Sequence, residues 1–515
     1  FPYWWDMMHD RNTNFFQTQR AFNAYWENKP LDARSHSGFK VFKRWEHHWK
    51  SRVNGDGSFR PADYDITEYK KFMQRNSSRA ANGAWVELGP RILPTNSTSQ
   101  PNGLGRINAI AFHPTNVNTY FIGAPQGGVW KTINNGATWT MSGTDNLPSL
   151  GASTIAIDPT NDQIMYLGTG DRDAGDAAGV GVYKSTNGGA SWTVSNTGMG
   201  NREVNRIILN SLKNTTLLAA ASDGIYKSYN SGATWIKKSS VNANYREMKM
   251  KPNDTTIWYA TEGSKFYRSS NGGETWTQIT SVFGATITRM VIATCPSKPN
   301  MVYVVGCKSN GTYEGMYISD NAGLNFRLKS STPNILGYLS DGSDAKGQGN
   351  YDLALASDYD DPKIIYVGGI NIFKSEDSGS TWTCVAHWTG ANFIEKIHAD
   401  QHIFEVNPLN KILFAGHDGG IYSTSDQGAT WDDKTSGLGI AQIYRLGQNL
   451  LNPNSVITGY QDNGTAMYRS TWNTVIGGDG MECIIDHLDT TYQYGALYYG
   501  DVRRRSGAGG FNQIA

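Results

Sequence analysis

Short apolar runs alternate with polar turns along most of the chain. Residues 107–112, 120–123 and 128–132 are typical. Each is four to six residues long and rich in Ile, Val, Tyr, Phe or Trp, and each is bounded by Gly, Asn, Asp or Pro. That length and composition predict strands rather than helices. A Pro-containing turn closes the first run of many units, as at Pro114, Pro159 and Pro408. A second strand follows, then a third, then a tight loop and a fourth. The loop has one form: Ser or Thr, any residue, Asp or Asn, any residue, Gly, two of any kind, then Trp or Phe. Seven copies begin at Thr132, Ser185, Ser228, Ser269, Ser319, Ser375 and Thr424, with starts 41 to 56 residues apart. They end at Trp139, Trp192, Trp235, Trp276, Phe326, Trp382 and Trp431. A repeat of that period signals a propeller or solenoid with one supersecondary unit per repeat. Four strands per repeat favour the propeller blade. Within the loop, Gly supplies the positive φ of the turn. The Asp or Asn side chain bonds to backbone two residues on, and the Ser or Thr hydroxyl does so more weakly. The closing aromatic covers the edge of the blade core. The loop therefore needs no chemistry of its own.

The first eighty residues follow a different period. Phe15, Phe22 and Trp26 fall on one helical face, as do Phe42, Trp45 and Trp49, and Ile66, Tyr69 and Met73 suggest a third short helix. So much aromatic surface must be covered. The division that results is a helical or irregular aromatic-rich clasp over residues 1–82 and a propeller over 83–515. The fold class is all-β, with at least nine four-stranded blades started. Seven carry the loop, an eighth runs over residues 443–472 without one, and a ninth begins at Met481. The ninth is unfinished at Ala515, so the chain is expected to be incomplete at its C-terminus. Residues 83–89 read like the end of a loop plus an outer strand, and are expected to pair with the last blade and close the ring.

Composition narrows the setting. The 57 glycines, 27 tyrosines and 16 tryptophans with only 18% charged residues suit an extracellular all-β protein with many turns. With 46 basic and 45 acidic residues there is no basic stripe for nucleic acid; Arg503–Arg505 is a local cluster. No stretch is long and apolar enough to span a bilayer. No signal peptide is visible, and the chain opens on Phe1, as expected after processing. Cys295, Cys307, Cys384 and Cys483 form no CxxC pair, so a metal knuckle is not expected and at most one disulfide is.

Candidate function sits where repeats depart from their siblings. Strand alternation would place His398, Asp400 and His402 on one face, either as a metal set or as a polar lining of the central channel. His417 and Asp418 lie in a Gly-rich turn, Gln461 and Asp462 in a second, and Asp479 in a third, and the three turns are expected at one mouth of the channel. Asp171, Asp173 and Asp176 lie in an insertion within the second blade. Such a loop would take Ca2+, although its spacing is not an EF-hand and a plain surface loop is the alternative. No cofactor is otherwise indicated.

The seven loops resemble the Asp-box, or BNR, propellers over roughly residues 105–506. That group includes sortilin-type propellers, bacterial sialidases and two-propeller xyloglucanases. The order of the histidine trio, the Asp418 turn, the Gln461–Asp462 turn and the Asp479 turn is similar to a sortilin-like bacterial group often labelled glycosyl hydrolase. The segments Asp6-Met-Met-His-Asp10, Phe15-Phe16 and Phe39-Lys-Val-Phe-Lys-Arg-Trp45 resemble the start of large secreted proteins of the Bacteroidota. The resemblance implies a secreted or cell-surface protein on the exterior of a Gram-negative outer membrane. It would be exported by the type IX system, either as cargo of that machinery or as a gliding-related adhesin, and would bind a protein or glycan without catalysis. The alternative it implies is a glycoside hydrolase using Asp418, Asp462 or Asp479. Against that, the xyloglucanases place an acidic residue before a Gly-Gly where this chain has Gln126, and no arginine triad of the sialidase kind is present. Fold alone does not decide between them.

Overall fold

The computed structural model describes residues 3–10, 12–30, 38–61, 64–75, 86–280, 283–449, 451–452 and 454–514. Among these, nine antiparallel sheets follow one another along the chain. Blade 1 runs from Ala109–Phe112 to Thr140–Met141, and blade 7 from Gln401–Val406 to Asp432–Asp433. Blade 8 spans Ile443–Gln448 to Trp472–Ile476, and blade 9 spans Cys483–Ile485 to Asn512–Gln513. Each takes its four strands in sequence order, as tight hairpins dictate.

The recurrent loop is built alike in all seven copies. Thr132 Oγ1 accepts from Gly136 N at 2.9 Å, and Asn134 Oδ1 accepts from Thr138 N at 2.9 Å. The Ser or Thr hydroxyl accepts from the loop glycine at 2.8–2.9 Å in the other six. The residue before the glycine is also left-handed, at Asn135, Ser231, Ala322, Ser378 and Gln427 as well as at Gly188 and Gly272. Two consecutive positive-φ residues match the twist of the flanking strands, the property of a type I′ connection. A Cβ on Gly273 would sit 2.2 Å from a Leu218 methyl of the preceding blade, so close inter-blade approach also demands glycine there.

The indoles of Trp139, Trp192, Trp235 and Trp382 join neighbouring blades by hydrogen bonds, whereas those of Trp276 and Trp431 make none. Trp192 Nε1 donates to Ser142 O at 2.7 Å, and Trp235 Nε1 donates to Ser195 O at 2.7 Å. Each acceptor directly follows the outermost strand of the preceding blade. The same bond joins blade 1 to blade 7, where Trp139 Nε1 donates to Lys434 O at 2.9 Å. Leu104 N to Gly419 O (2.8 Å) and Ile107 N to His417 O (3.2 Å) reinforce that contact. Phe112 and Tyr120 pack on Phe414, and one buried core joins Ile107, Ile122 and Trp130 to Ile403, Ile421 and Leu438. Opening strands pack on one another from blade 1 through blade 7 and back to blade 1. Seven blades therefore form a closed ring, and blades 8 and 9 pack on each other outside it.

The closure expected of residues 83–89 is not what occurs. Gly83–Trp85 lie outside the described residues. Val86–Gly89 form no strand, although Leu88 O accepts from Trp472 Nε1 at 3.0 Å. The strand Thr95–Asn96 instead adds in parallel to Trp472–Ile476, at the outer edge of blade 8. Ring one closes without it, because blades 1 and 7 each contain four consecutive strands and their facing cores are complementary.

The clasp comprises α1 (Trp4–Met8), α2 (Phe15–Trp26), α3 (Phe39–Lys50) and α4 (Tyr64–Arg75). Trp4, Phe15, Phe22, Phe42 and Trp45 are almost wholly buried in one aromatic core. Phe22 and Phe42 stack at 3.7 Å. The same core includes Ala174 of blade 2 and Tyr351 of blade 6, so the clasp is seated on the ring near its axis. The four cysteines are buried thiols.

Candidate functional site

A buried ionic network fills the axis of ring one at the end covered by the clasp. Its centre is His402, in the first strand of blade 7. Nδ1 lies 3.0 Å from Asp173 Oδ2 and Nε2 lies 2.8 Å from Asp418 Oδ1. Burial disfavours the imidazolium, but Asp418 and the hydrogen bonds to both carboxylates outweigh it and hold its pKa above the ordinary value. Asp173 also accepts from Arg289 at 2.6 Å and from Arg172 at 3.2 Å. Burial alone would raise its carboxyl, yet the two guanidiniums keep it well below the usual range. Arg106 donates to Asp171 and, at 2.9 Å, to the Tyr351 hydroxyl. Tyr351 in turn donates to Asp418 Oδ2 at 2.9 Å.

The second-blade insertion thus points inward and is not a surface loop. Asp171 and Asp173 are fully buried and Asp176 nearly so. Asp171 is paired with Arg106, and Asp173 with Arg172 and Arg289. A lone polar insertion gave no sign of burial, because its partners come from blades 1, 5 and 7.

The three Gly-rich turns meet as expected. Asn463 Nδ2 donates to Asp418 O at 3.0 Å, Gln461 Nε2 to the Tyr351 hydroxyl at 3.2 Å, and Asp462 N to Asp479 Oδ1 at 3.0 Å. Asp418 belongs to ring one, the Gln461–Asp462 turn to blade 8 and the Asp479 turn to the connection between blades 8 and 9, so the cluster lies where ring one meets those blades. The histidine trio departs from simple alternation. Asp400 has φ +66° and the strand begins only at Gln401, so residues 398–400 form a turn. His402 points to the axial network, Asp400 accepts from Gln348 Nε2 at 2.5 Å, and His398 stacks on His417 at 5.6 Å. Burial, then the neighbouring His398 and His402, hold His417 well below the ordinary histidine value. Its Nδ1 accepts from Gly419 N.

The partners that sequence reasoning missed are Lys40 and Arg44 of α3. One Arg44 nitrogen donates to Asp462 at 2.6 Å and to Asp479 at 2.5 Å. Lys40 lies 3.2 Å from Asp462 and 2.9 Å from Asp479. Burial raises the Asp462 carboxyl, but Arg44 and Lys40 outweigh it and depress it strongly. Asp400 has no such cation within hydrogen-bond reach. Burial, followed by the charges of Asp418 and Asp462, pushes it up to about 7. The i, i+4 spacing of Lys40 and Arg44 marked one helical face. Nothing in it indicated carboxylates more than 400 residues away.

Beside this floor opens a cleft of about 290 Å3. Tyr338 and Trp388, in edge contact at 6.4 Å, wall it from ring one. Tyr498 and Tyr499, at 5.2 Å, wall it from blade 9. Asp400, Asp462 and Asp479 line its base.

Residues 223–346, from the third blade to beyond the fifth, match the family described as sortilin, neurotensin receptor 3 (Sortilin-Vps10). No curated protein matches the chain. Among solved structures, the GH74 enzyme of Niastella koreensis is similar at 17% identity and a TM-score of 0.60, over 83% of this chain and 68% of that one. The GH74 xyloglucanase of Xanthomonas campestris is similar at 15% identity and 0.55, over 80% of this chain and 74% of that one. PorZ, a type IX secretion surface component of Porphyromonas gingivalis, superposes at 0.47 with 10% identity, over 80% and 53%, too loosely to carry an argument. At these identities the likeness establishes the fold alone. No helix among the described residues is long and apolar enough to cross a membrane. The chain is a β-propeller protein with an aromatic helical clasp at its N-terminal end, and residues 223–346 of it are similar to the sortilin family.

Proposed function

We propose that this is a binding propeller, secreted or held at the cell surface, that grips a glycan chain in the cleft between ring one and blade 9. One observation carries the reading: paired aromatics from ring one and from blade 9 line one cleft together with Asp400, Asp462 and the Lys40 and Arg44 cations. A sugar ring presents an apolar C–H face and a rim of hydroxyls. Tyr338, Trp388, Tyr498 and Tyr499 offer apolar faces with polar edges, and the aspartates accept hydroxyl hydrogen bonds. The reading is non-catalytic because Asp462 and Asp479 are already ion-paired to Arg44 and Lys40. Export through a type IX system belongs to the same proposal, and proteolysis of intact cells tests the location.

A hydrolase reading has one specific observation in its favour. Asp400 keeps its proton near neutrality beside an ionised Asp462, the separation of roles that a glycosidase acid and base require. A glycan panel decides between the two. Wild type is expected to retain a polysaccharide and Trp388→Ala to weaken retention by about tenfold, the loss of one good stacking contact. No reducing ends should be released. Equal retention by Trp388→Ala would place the ligand elsewhere. Release of reducing ends that Asp400→Asn abolishes would establish the hydrolase instead.

A further inference from the structure

The mouth of ring one carries more carboxyl groups than its cations balance. Asp352, Asp400, Asp418, Asp462 and Asp479 gather there. Facing them are Lys40 and Arg44, together with the His402 imidazolium, which is shared with Asp173. Arg106 is committed to Asp171, and Arg289 and Arg172 to Asp173. Lys40 and Arg44 are each divided between Asp462 and Asp479. An unpaired charge in such a place is costly, so the deficit has to be met by protons or by a cation.

We propose that Asp400, Asp418 and Asp462, backed by Asp352, hold one divalent cation of the Ca2+ class at the junction of ring one and blade 8. One oxygen from each of the first three lies within 4.8 Å of the others. Oxygens each about 2.3–2.6 Å from Ca2+ are at most about 5 Å apart, so the three fit around one such ion; Mg2+, at about 2.1 Å, would need a tighter set. Asp352 points to a ligand independently. It is wholly buried, both of its carboxylate oxygens lack a hydrogen-bond partner, and it lies close enough to Asp400 and Asp418 to be raised by their charges. Asp462 Oδ2 is likewise buried without a hydrogen-bond partner, while Oδ1 takes the Arg44 bond. The Tyr338 hydroxyl is pushed up by burial and then by Asp400 and Asp352, so the same negative field reaches the cleft wall. A cation there supplies positive charge that Lys40, Arg44 and the shared His402 leave unmet among the five carboxyl groups. It would also tie Asp418 of ring one to Asp462 of blade 8, whose other carboxylate oxygen Arg44 of the clasp already holds.

The test uses the whole chain, stripped with a chelator and titrated with Ca2+ by calorimetry and with Tb3+ by luminescence. Tyr351, 2.9 Å from Asp418, serves as the sensitiser. One ion per chain is expected, with a rise in melting temperature on adding Ca2+. Asp400→Asn should weaken binding by about tenfold or more, as loss of one carboxylate ligand does. Asp352→Asn, which leaves the three nearest ligands in place, should weaken it less. Asp223→Asn, in a different cleft, should leave it unchanged. Asp400→Asn mimics the protonated side chain and so is expected to fold in any case. The proposal is overturned if the wild type takes up neither ion at millimolar concentration, which would mean that shared protons alone balance the cluster. Binding unchanged in Asp400→Asn would overturn it equally. Glycan retention measured in chelator is read separately, so either reading can fail alone.

Discussion

At the scale of single residues, the axial network fixes how stability responds to pH. In metal-free protein Asp400 is raised from 3.8 to about 7. The folded state then holds that proton more tightly than the unfolded state, and stability falls as pH rises across that window. His402 is raised above 6.5, so its contribution is complete below 6.5 and is lost as pH climbs through the folded value. Asp173 and Asp462 are depressed, so theirs is present above 3.8 and lost in stronger acid. Asp400 and His402 therefore impose a decline in melting temperature as pH rises towards 8, while the depressed His417 adds the opposite slope below 6.5, so the Asp400 contribution is read as the difference between wild type and Asp400→Asn. Asp400→Asn should flatten the decline, and a wild-type profile still rising through neutrality would contradict the assignment. His398, Asp400, His402 and the turn carboxylates were legible as candidates because they interrupt a repeat. Lys40, Arg44, Arg106 and Tyr351 were not, since isolated charged or aromatic residues carry no trace of a partner hundreds of positions away.

At the scale of elements, the Asp-box hairpin is a self-contained turn. In blade 3 Ser228 accepts from Gly232 N at 2.9 Å, and Asn230 Oδ1 accepts from Thr234 N at 2.9 Å. Asn230→Ala removes the second acceptor and is expected to cost about 1–2 kcal/mol. Denaturant unfolding measures it, and a change below a few tenths of a kcal/mol would mean that the tight turn holds without its side-chain bonds. Such hairpins read clearly from sequence because every bond lies within eight residues. The clasp helices read almost as clearly. Phe42, Trp45 and Trp49 share a buried face, as their spacing requires. The strand Thr95–Asn96 did not, because two residues set no period and its parallel pairing depends wholly on where blade 8 lies.

At the scale of the whole molecule, closure at seven blades is the organising event. If blade 1 meets blade 7 as any blade meets its neighbour, the tryptophan bond at the seam is worth what it is worth elsewhere. Trp139→Phe and Trp235→Phe should then destabilise ring one to a similar extent, each by about 1 kcal/mol for the lost hydrogen bond. A much smaller effect at Trp139 would mean a loose seam. Closure also sets the site. It brings His402 and Asp418 of blade 7 to the same axis as Arg106 of blade 1 and Asp173 of blade 2, and it leaves blade 8 to deliver Asp462 from outside the ring.

The chain alone determined the repeat, the hairpin turns, the four-stranded blade and the aromatic helices, all of which follow from contacts between residues close in sequence. Ring size, the inward course of the Asp171–Asp176 loop and the pairing of the clasp with Asp462 and Asp479 were decided only by tertiary structure. The physical reason is that a blade's local pattern is the same in a ring of any size. Whether the last blade meets the first depends on the accumulated angle between packed sheets. The balance of buried charge in turn depends on which side chains that closure brings to the axis.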